Sequence, residues 1–195
     1  MKPNILVFDV ESTSLHGKGF AVGAVVIEKK TGKELDSFIM KSTQSEKDAN
    51  EWVKENVLPN LIKFPAVKKD FELRHAFWCF IRDYKDVCDI WADVGYPLET
   101  NFLEEIYNDE WSEREFEMPY PLLDVSTIVD VNINRNEFCE LEGLQEHNPY
   151  DDARASAYSL IKYKLANDEA YGDYVWENIK ETCGEKFIKR DVETK

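Results

Sequence analysis

Two short stretches of the chain hold residue types that can do chemistry. HNPYDDARASAYSL begins at His147 and sets one of three histidines just ahead of Asp151 and Asp152. FDVEST, near the other end, holds Asp9 and Glu11 two residues apart. An imidazole can take up a proton near neutral pH, and carboxylates are the oxygen donors that hard divalent cations prefer. Proton transfer beside a metal ion is the chemistry these types allow together. Each stretch also has a plainer reading. An arbitrary D-x-E is more often a solvated strand end, and acids at the start of a helix complement its dipole. The dipole accounts for Asp151 or Asp152, but it leaves His147 unexplained.

The elements that carry these residues sharpen the pattern. On a strand, residues i and i+2 point to one face, about 7 Å apart, so Asp9 and Glu11 would form a costly carboxylate pair unless a cation neutralised it. In the second stretch, Pro149 suits the first helical turn and Asn148 the N-cap, which leaves His147 in the loop just before the helix. Helical spacing gathers Ala153, Ala157 and Leu160 into one apolar arc with Asp152 at its edge, and turns Asp151 to solvent. Residues 3–9, 20–28 and 34–41 read as a three-stranded antiparallel meander with a turn at KKTGK. Helical patterns follow over 45–61 and 71–84, a fourth strand over 88–94, a helix over 98–107 and a fifth strand over 121–131. The helix of 149–165 comes next, and then a weaker one over 171–181. NDEWSEREFEMP, residues 108–119, reads as a long exposed loop. Strands followed by alternating helix and strand predict an α/β domain with a mixed sheet covered by helices.

Composition bounds the rest. The 195 residues, 43% hydrophobic and 13% aromatic, suffice for a substantial core in a single domain. The start, MKPNILVFDVES, runs directly into a strand pattern, unlike a signal peptide, and there is no long apolar run. The expectation is a soluble, cytoplasmic protein with no membrane partner. Four cysteines, Cys79, Cys88, Cys139 and Cys183, include no C-x-x-C pair and suggest neither zinc nor disulfides. With 24 Lys and Arg against 39 Asp and Glu, the formal charge is -15. That charge disfavours a broad basic surface for long nucleic acids, and any polyanionic substrate would need cations as intermediaries.

FDVESTSL resembles the first signature of the DnaQ-like 3′–5′ exonucleases, in which D-x-E is followed by two small hydroxyl-bearing residues and a leucine. Ser12, Thr13 and Leu15 stand at those places. HNPYDDA resembles the third signature of the DEDDh branch, a histidine, four residues and an aspartate, which maps onto His147 and Asp152 and leaves Asp151 outside. GAVVIE in the second strand is similar as well, and the likeness spans about residues 4–165. The middle signature departs from the pattern: WADVGYPLETNFL stands where the family has a strand ending in H-N, then F-D and a helix. Alignment on NFL puts Glu99 in the place of the family's aspartate, with Asp93 near the strand end as the alternative third acid.

The resemblance implies a ribonuclease H-like fold with a mixed five-stranded sheet, forming one domain over residues 1–195 with a C-terminal helical extension. It implies Asp9, Glu11, Glu99 (or Asp93) and Asp152 as ligands of two Mg²⁺ or Mn²⁺ ions, with His147 as general base. Ser12, Thr13 and Leu15 would hold the terminal sugar and base. Trp91, Tyr96 and Phe102 are candidates for base stacking, although such residues are more often core. His16 and His75 have no assigned partner. The substrate class would be the 3′ end of single-stranded DNA or RNA, or short oligonucleotides. A catalytically weak nucleic-acid-binding module of the same fold, and an acidic interaction protein, are the competing readings.

Overall fold

Strand β1 (Asn4–Ser12), NILVFDVES, opens on a continuous apolar run from Ile5 to Phe8, as a strand covered on both faces requires. It lies at the centre of the computed structural model, which describes residues 2–130 and 135–162. Strands β2 (Gly19–Glu28) and β3 (Glu34–Ser42) complete the expected antiparallel meander. Strand β5 (Cys88–Ala92) then pairs parallel to β1 on its other side. Two very short strands, β4 (Ala66–Val67) and β6 (Leu123–Asp124), extend the edges, so the described residues form a six-stranded mixed sheet in the order β4-β3-β2-β1-β5-β6. The sheet has one strand more than the sequence reading counted. Two residues are too few to produce an alternating pattern, and β4 is a strand only because Lys41 and Ser42 offer it an edge.

The period-two alternation of β1 sorts its side chains between two cores. Leu6, Phe8 and Val10 face the side packed by α3 (Asp70–Tyr84) and α4 (Thr100–Asp109), against Phe77, Ile81, Phe102 and Ile106. Ile5 and Val7 face the other side, where α6 (Asn136–Glu142) and α7 (Pro149–Leu160) contribute Phe138, Ala157 and Leu160. By the same alternation Asp9 and Glu11 belong to the α7 side. The strand does not end at Asp9 but runs through both carboxylates to a register irregularity between Glu11 and Ser12.

Several expected elements are reshaped. The helix over 45–61 is broken into α1 (Thr43–Glu46), α2 (Glu51–Asn56) and a 3₁₀ turn (Leu58–Leu61). Asn50 caps α2 by accepting from the Val53 amide, and Pro59 cannot continue it. The fifth strand shrinks to β6, followed by a 3₁₀ turn at Val125–Thr127 that Asp124 caps through the Ser126 amide. The acidic loop over 108–119 contains a fifth helix, α5 (Trp111–Arg114), whose Arg114 is fully buried. Arg114 donates to the Ile106 carbonyl and to Glu110, and its guanidinium lies 4.6 Å from the Trp78 ring centroid. His75 is drawn into this network, with its Nδ1 3.2 Å from Arg114 Nη2. The weaker helix over 171–181 lies outside the described residues. No helix among them is long and apolar enough to cross a membrane.

Candidate active site

Helix α7 starts as its sequence demands. Asn148 accepts from the Tyr150 and Asp151 amides, and Pro149 occupies the first turn. This first turn sits directly on β2, because the residue beneath it is Gly23. A Cβ there would lie 2.1 Å from Tyr150 N and 2.4 Å from the Pro149 carbonyl carbon. Gly23 is the cross-strand partner of Asp9, so the glycine brings the start of α7 over the carboxylates of β1. Asp152, only 3% exposed, turns inward, and its Oδ2 accepts from the His147 amide at 3.0 Å. Asp151 stays outside the cluster, as expected, but it is half-buried and accepts from the Gln145 amide.

The structure brings together the acids that the two sequence stretches left apart. Ligand atoms of Glu11, His147 and Asp152 lie within 4.8 Å of one another. Asp9 feels the charges of Asp93, Glu99, Glu11 and Asp152, and it shares a hydrogen bond with Glu99. Burial is the largest cause of raised carboxyl pKa values here, and repulsion among the acids adds to it. Glu11 and Glu99 are each pushed up to about 8 and Asp152 to about 7, while Asp9 is also raised well above its ordinary value. Burial pushes the His147 imidazole the opposite way, below its usual value, with Arg135 acting in the same sense.

Both candidates for the third acid are buried in this cluster, Asp93 at 1% and Glu99 at 3% exposure, but their surroundings differ. Asp93 accepts from Ser156 Oγ at one oxygen and from Arg135 Nη1 at the other. Glu99, which ends the turn Gly95–Glu99 ahead of α4, instead meets Asp9. Asp152 Oδ1 is buried with no hydrogen-bond partner, and its ion-pair contact with Arg135 Nε is a distant 3.9 Å. A cluster of repelling, partly unpartnered oxygens suits hard divalent cations, so Mg²⁺ or Mn²⁺ fits the donor set.

The expected substrate contacts are divided. Ser12 Oγ is taken up by the Ser14 carbonyl at 2.5 Å, and Thr13 Oγ1 accepts from the Lys18 amide, so both order the turn after β1. Leu15 is 67% exposed. Of the three aromatic candidates, Trp91 and Phe102 belong to the core, whereas Tyr96 is exposed, with its ring 6.5 Å from that of His16. Thr13, His16, Lys18, Asn101 and Glu104 line a cleft of about 520 Å³ beside this turn.

Three contributions escaped the sequence reading. Trp52 on α2 meets the His147 ring edge-on, with centroids 5.0 Å apart. Asn60 Nδ2 donates to the Glu146 carbonyl and holds the loop that bears His147. Arg135 reaches into the cluster from just before α6. No local spacing marks any of the three, because each acts across a long stretch of chain.

No protein-family model matches the chain, and no curated protein does. Solved structures do match, and what they share with this chain is the fold. The nuclease domain of 3′hExo, a DEDDh family member bound to rAMP, superposes with a TM-score of 0.55 at 12% identity, over 88% of this chain and 94% of that one. A full-length 3′-exonuclease gives 0.54 at 10% identity, over 87% of this chain and 62% of that one. E. coli exonuclease I in complex with a dA16 oligonucleotide gives 0.51 at 12% identity, over 90% of this chain and 43% of that one. The chain therefore spans less than half the length of exonuclease I. At these identities the likeness concerns the fold.

Proposed function

We propose that the chain is a metal-dependent 3′–5′ exonuclease, one domain over residues 1–195. It would hydrolyse phosphodiester bonds from the 3′ end of single-stranded or short DNA or RNA and release nucleoside 5′-monophosphates. The observation that carries this reading is the convergence of Asp9, Glu11, Glu99 and Asp152, from three separate parts of the chain, on one buried site beside His147. Asp9, Glu11, Glu99 and Asp152 would hold two Mg²⁺ or Mn²⁺ ions. The chemistry such ions would supply is activation of water and compensation of charge on the departing 3′-oxygen.

The residues of the chain do the rest. Its lowered pKa keeps His147 neutral near pH 7, ready to take the proton of the attacking water. As the new P–O bond forms, the P–O3′ bond to the penultimate nucleotide breaks and the terminal nucleotide leaves with its 5′-phosphate. Trp52 limits the swing of the imidazole, and the backbone bond from His147 to Asp152 ties the base to the acid cluster. Glu99 serves as the third acid because its carboxyl meets Asp9, while Asp93 is engaged by Ser156 and Arg135. Ser12 and Thr13 shape the turn that presents Leu15 to the terminal sugar and base.

The test is a product ladder. Matched 5′-labelled DNA and RNA oligomers are incubated with the full chain and with its Asp152→Ala variant, in Mg²⁺ or Mn²⁺. Stepwise shortening from the 3′ end, lost in the variant while its fold is retained, is the expected result. Oligomers that are bound yet stay intact would sink the enzyme reading in favour of the binding module. A function indifferent to neutralising Asp9, His147 or Asp152 singly would favour the acidic interaction protein.

A further inference from the structure

Arg135 ties itself to the one acid of the cluster that the chemistry above does not use. Its Nη1 donates to Asp93 Oδ2 at 2.5 Å, and Ser156 Oγ on α7 donates to Asp93 Oδ1. Asp93 is thereby satisfied at both oxygens and neutralised by its own counter-ion. The same guanidinium stops short of Asp152. Nε lies 3.9 Å from Asp152 Oδ1, and both atoms are buried without a hydrogen-bond partner. A buried guanidinium N–H and a carboxylate oxygen so near each other ordinarily close to about 2.8 Å. Here the bond to Asp93 anchors the guanidinium on the far side of the gap.

We propose that Arg135 is a positioning residue that sets the divalent-ion affinity of the cluster. Paired with Asp93, it cancels a fifth carboxylate and is held off Asp152, whose Oδ1 stays available to an ion. The inference rests on the reading of Asp9, Glu11, Glu99 and Asp152 as the metal-holding set. Two opposite effects follow. Without Asp93, the guanidinium is released to close on Asp152 and competes with the ion. Without Arg135, the cluster gains a negative charge and holds the ion more tightly.

The test is calorimetric titration of the full chain with Mn²⁺, with no substrate present. Arg135→Met is expected to tighten Mn²⁺ binding by roughly tenfold or more, the scale that one charge exerts at close range in a poorly screened site. Asp93→Asn is expected to weaken binding by a similar factor. The double variant should return to near the wild-type value, and Arg135→Lys, which keeps the charge, should stay near it as well. Circular dichroism checks that each variant is folded. If Arg135→Met fails to fold, Asp93→Asn and the double variant decide the matter. Wild-type binding with Asp93→Asn equally tight, or with folded Arg135→Met no tighter, overturns the role of Arg135 alone. A wild-type chain that takes up no Mn²⁺ overturns the metal site, and this inference with it.

Discussion

Adding a single methyl group at Gly23 should disturb the whole candidate site. In Gly23→Ala the new Cβ would stand 2.1 Å from Tyr150 N, 2.4 Å from Tyr150 Cα and 2.4 Å from the Pro149 carbonyl carbon. All three are backbone atoms, so no side chain can rotate away. Ordinary contact begins near 3.4 Å, and the first turn of α7 would have to retreat by about 1.3 Å to restore it. Such overpacking destabilises by about 1–3 kcal/mol, which in a chain of this size lowers the melting temperature by roughly 2–12 °C. The retreat also carries His147 and Asp152 away from Asp9 and Glu11, and a displacement near 1 Å costs about 100-fold in rate. Thermal unfolding gives the first number. The ladder assay, run at a temperature where the variant is fully folded, gives the second. Melting within about 1 °C of wild type together with a rate within about twofold would refute the close-approach argument.

The metal-free protein should lose stability as pH rises. Glu11 and Glu99 are raised to about 8 and Asp152 to about 7, so the native state holds protons that the unfolded chain has already released above about pH 4.5. Melting in chelator should therefore fall from about pH 5 toward pH 8, and Mg²⁺ should flatten the decline; a melting temperature that climbs over this range contradicts the assignment. Trp52→Ala removes a half-exposed side chain together with its edge-on contact with the His147 ring, so unfolding free energy should fall by about 0.5–1.5 kcal/mol. Because that contact limits the swing of the imidazole, looser placement of the base should lower kcat by roughly 2- to 10-fold; an unchanged kcat would remove Trp52 from the description of the base.

What could be read from the sequence was what short-range geometry controls. Period-two spacing put Asp9 and Glu11 on one face, helical spacing put Asp152 at the edge of the apolar arc, and the Asn148–Pro149 cap left His147 in the loop, because strands and helix starts impose those directions locally. The three early strands were visible for the same reason, the first two as apolar runs and the third from the KKTGK turn that precedes it. Elements that exist only through tertiary support were not visible. Strand β4 has two residues, and α5 is a single turn held by the burial of Arg114. The sequence favoured Glu99 over Asp93 as the third acid through alignment on NFL alone, since the two flank the same turn and differ chiefly in distant partners. Arg135 is the clearest case. It stands 42 positions from Asp93, and nothing near either residue announces the pair.

The backbone of His147 has a consequence of its own. Its φ is +60°, a left-handed bend that a side chain with a Cβ adopts at some cost and glycine adopts freely. The bend is enforced from both sides, by the hydrogen bond that the His147 amide donates to Asp152 and by the grip of Asn60 on the preceding carbonyl. Durability and reactivity therefore pull in opposite directions at this residue. A glycine here would relax the bend, yet it would leave the acid cluster with no imidazole to receive a proton. The candidate base stands where the fold by itself would be better served by another residue.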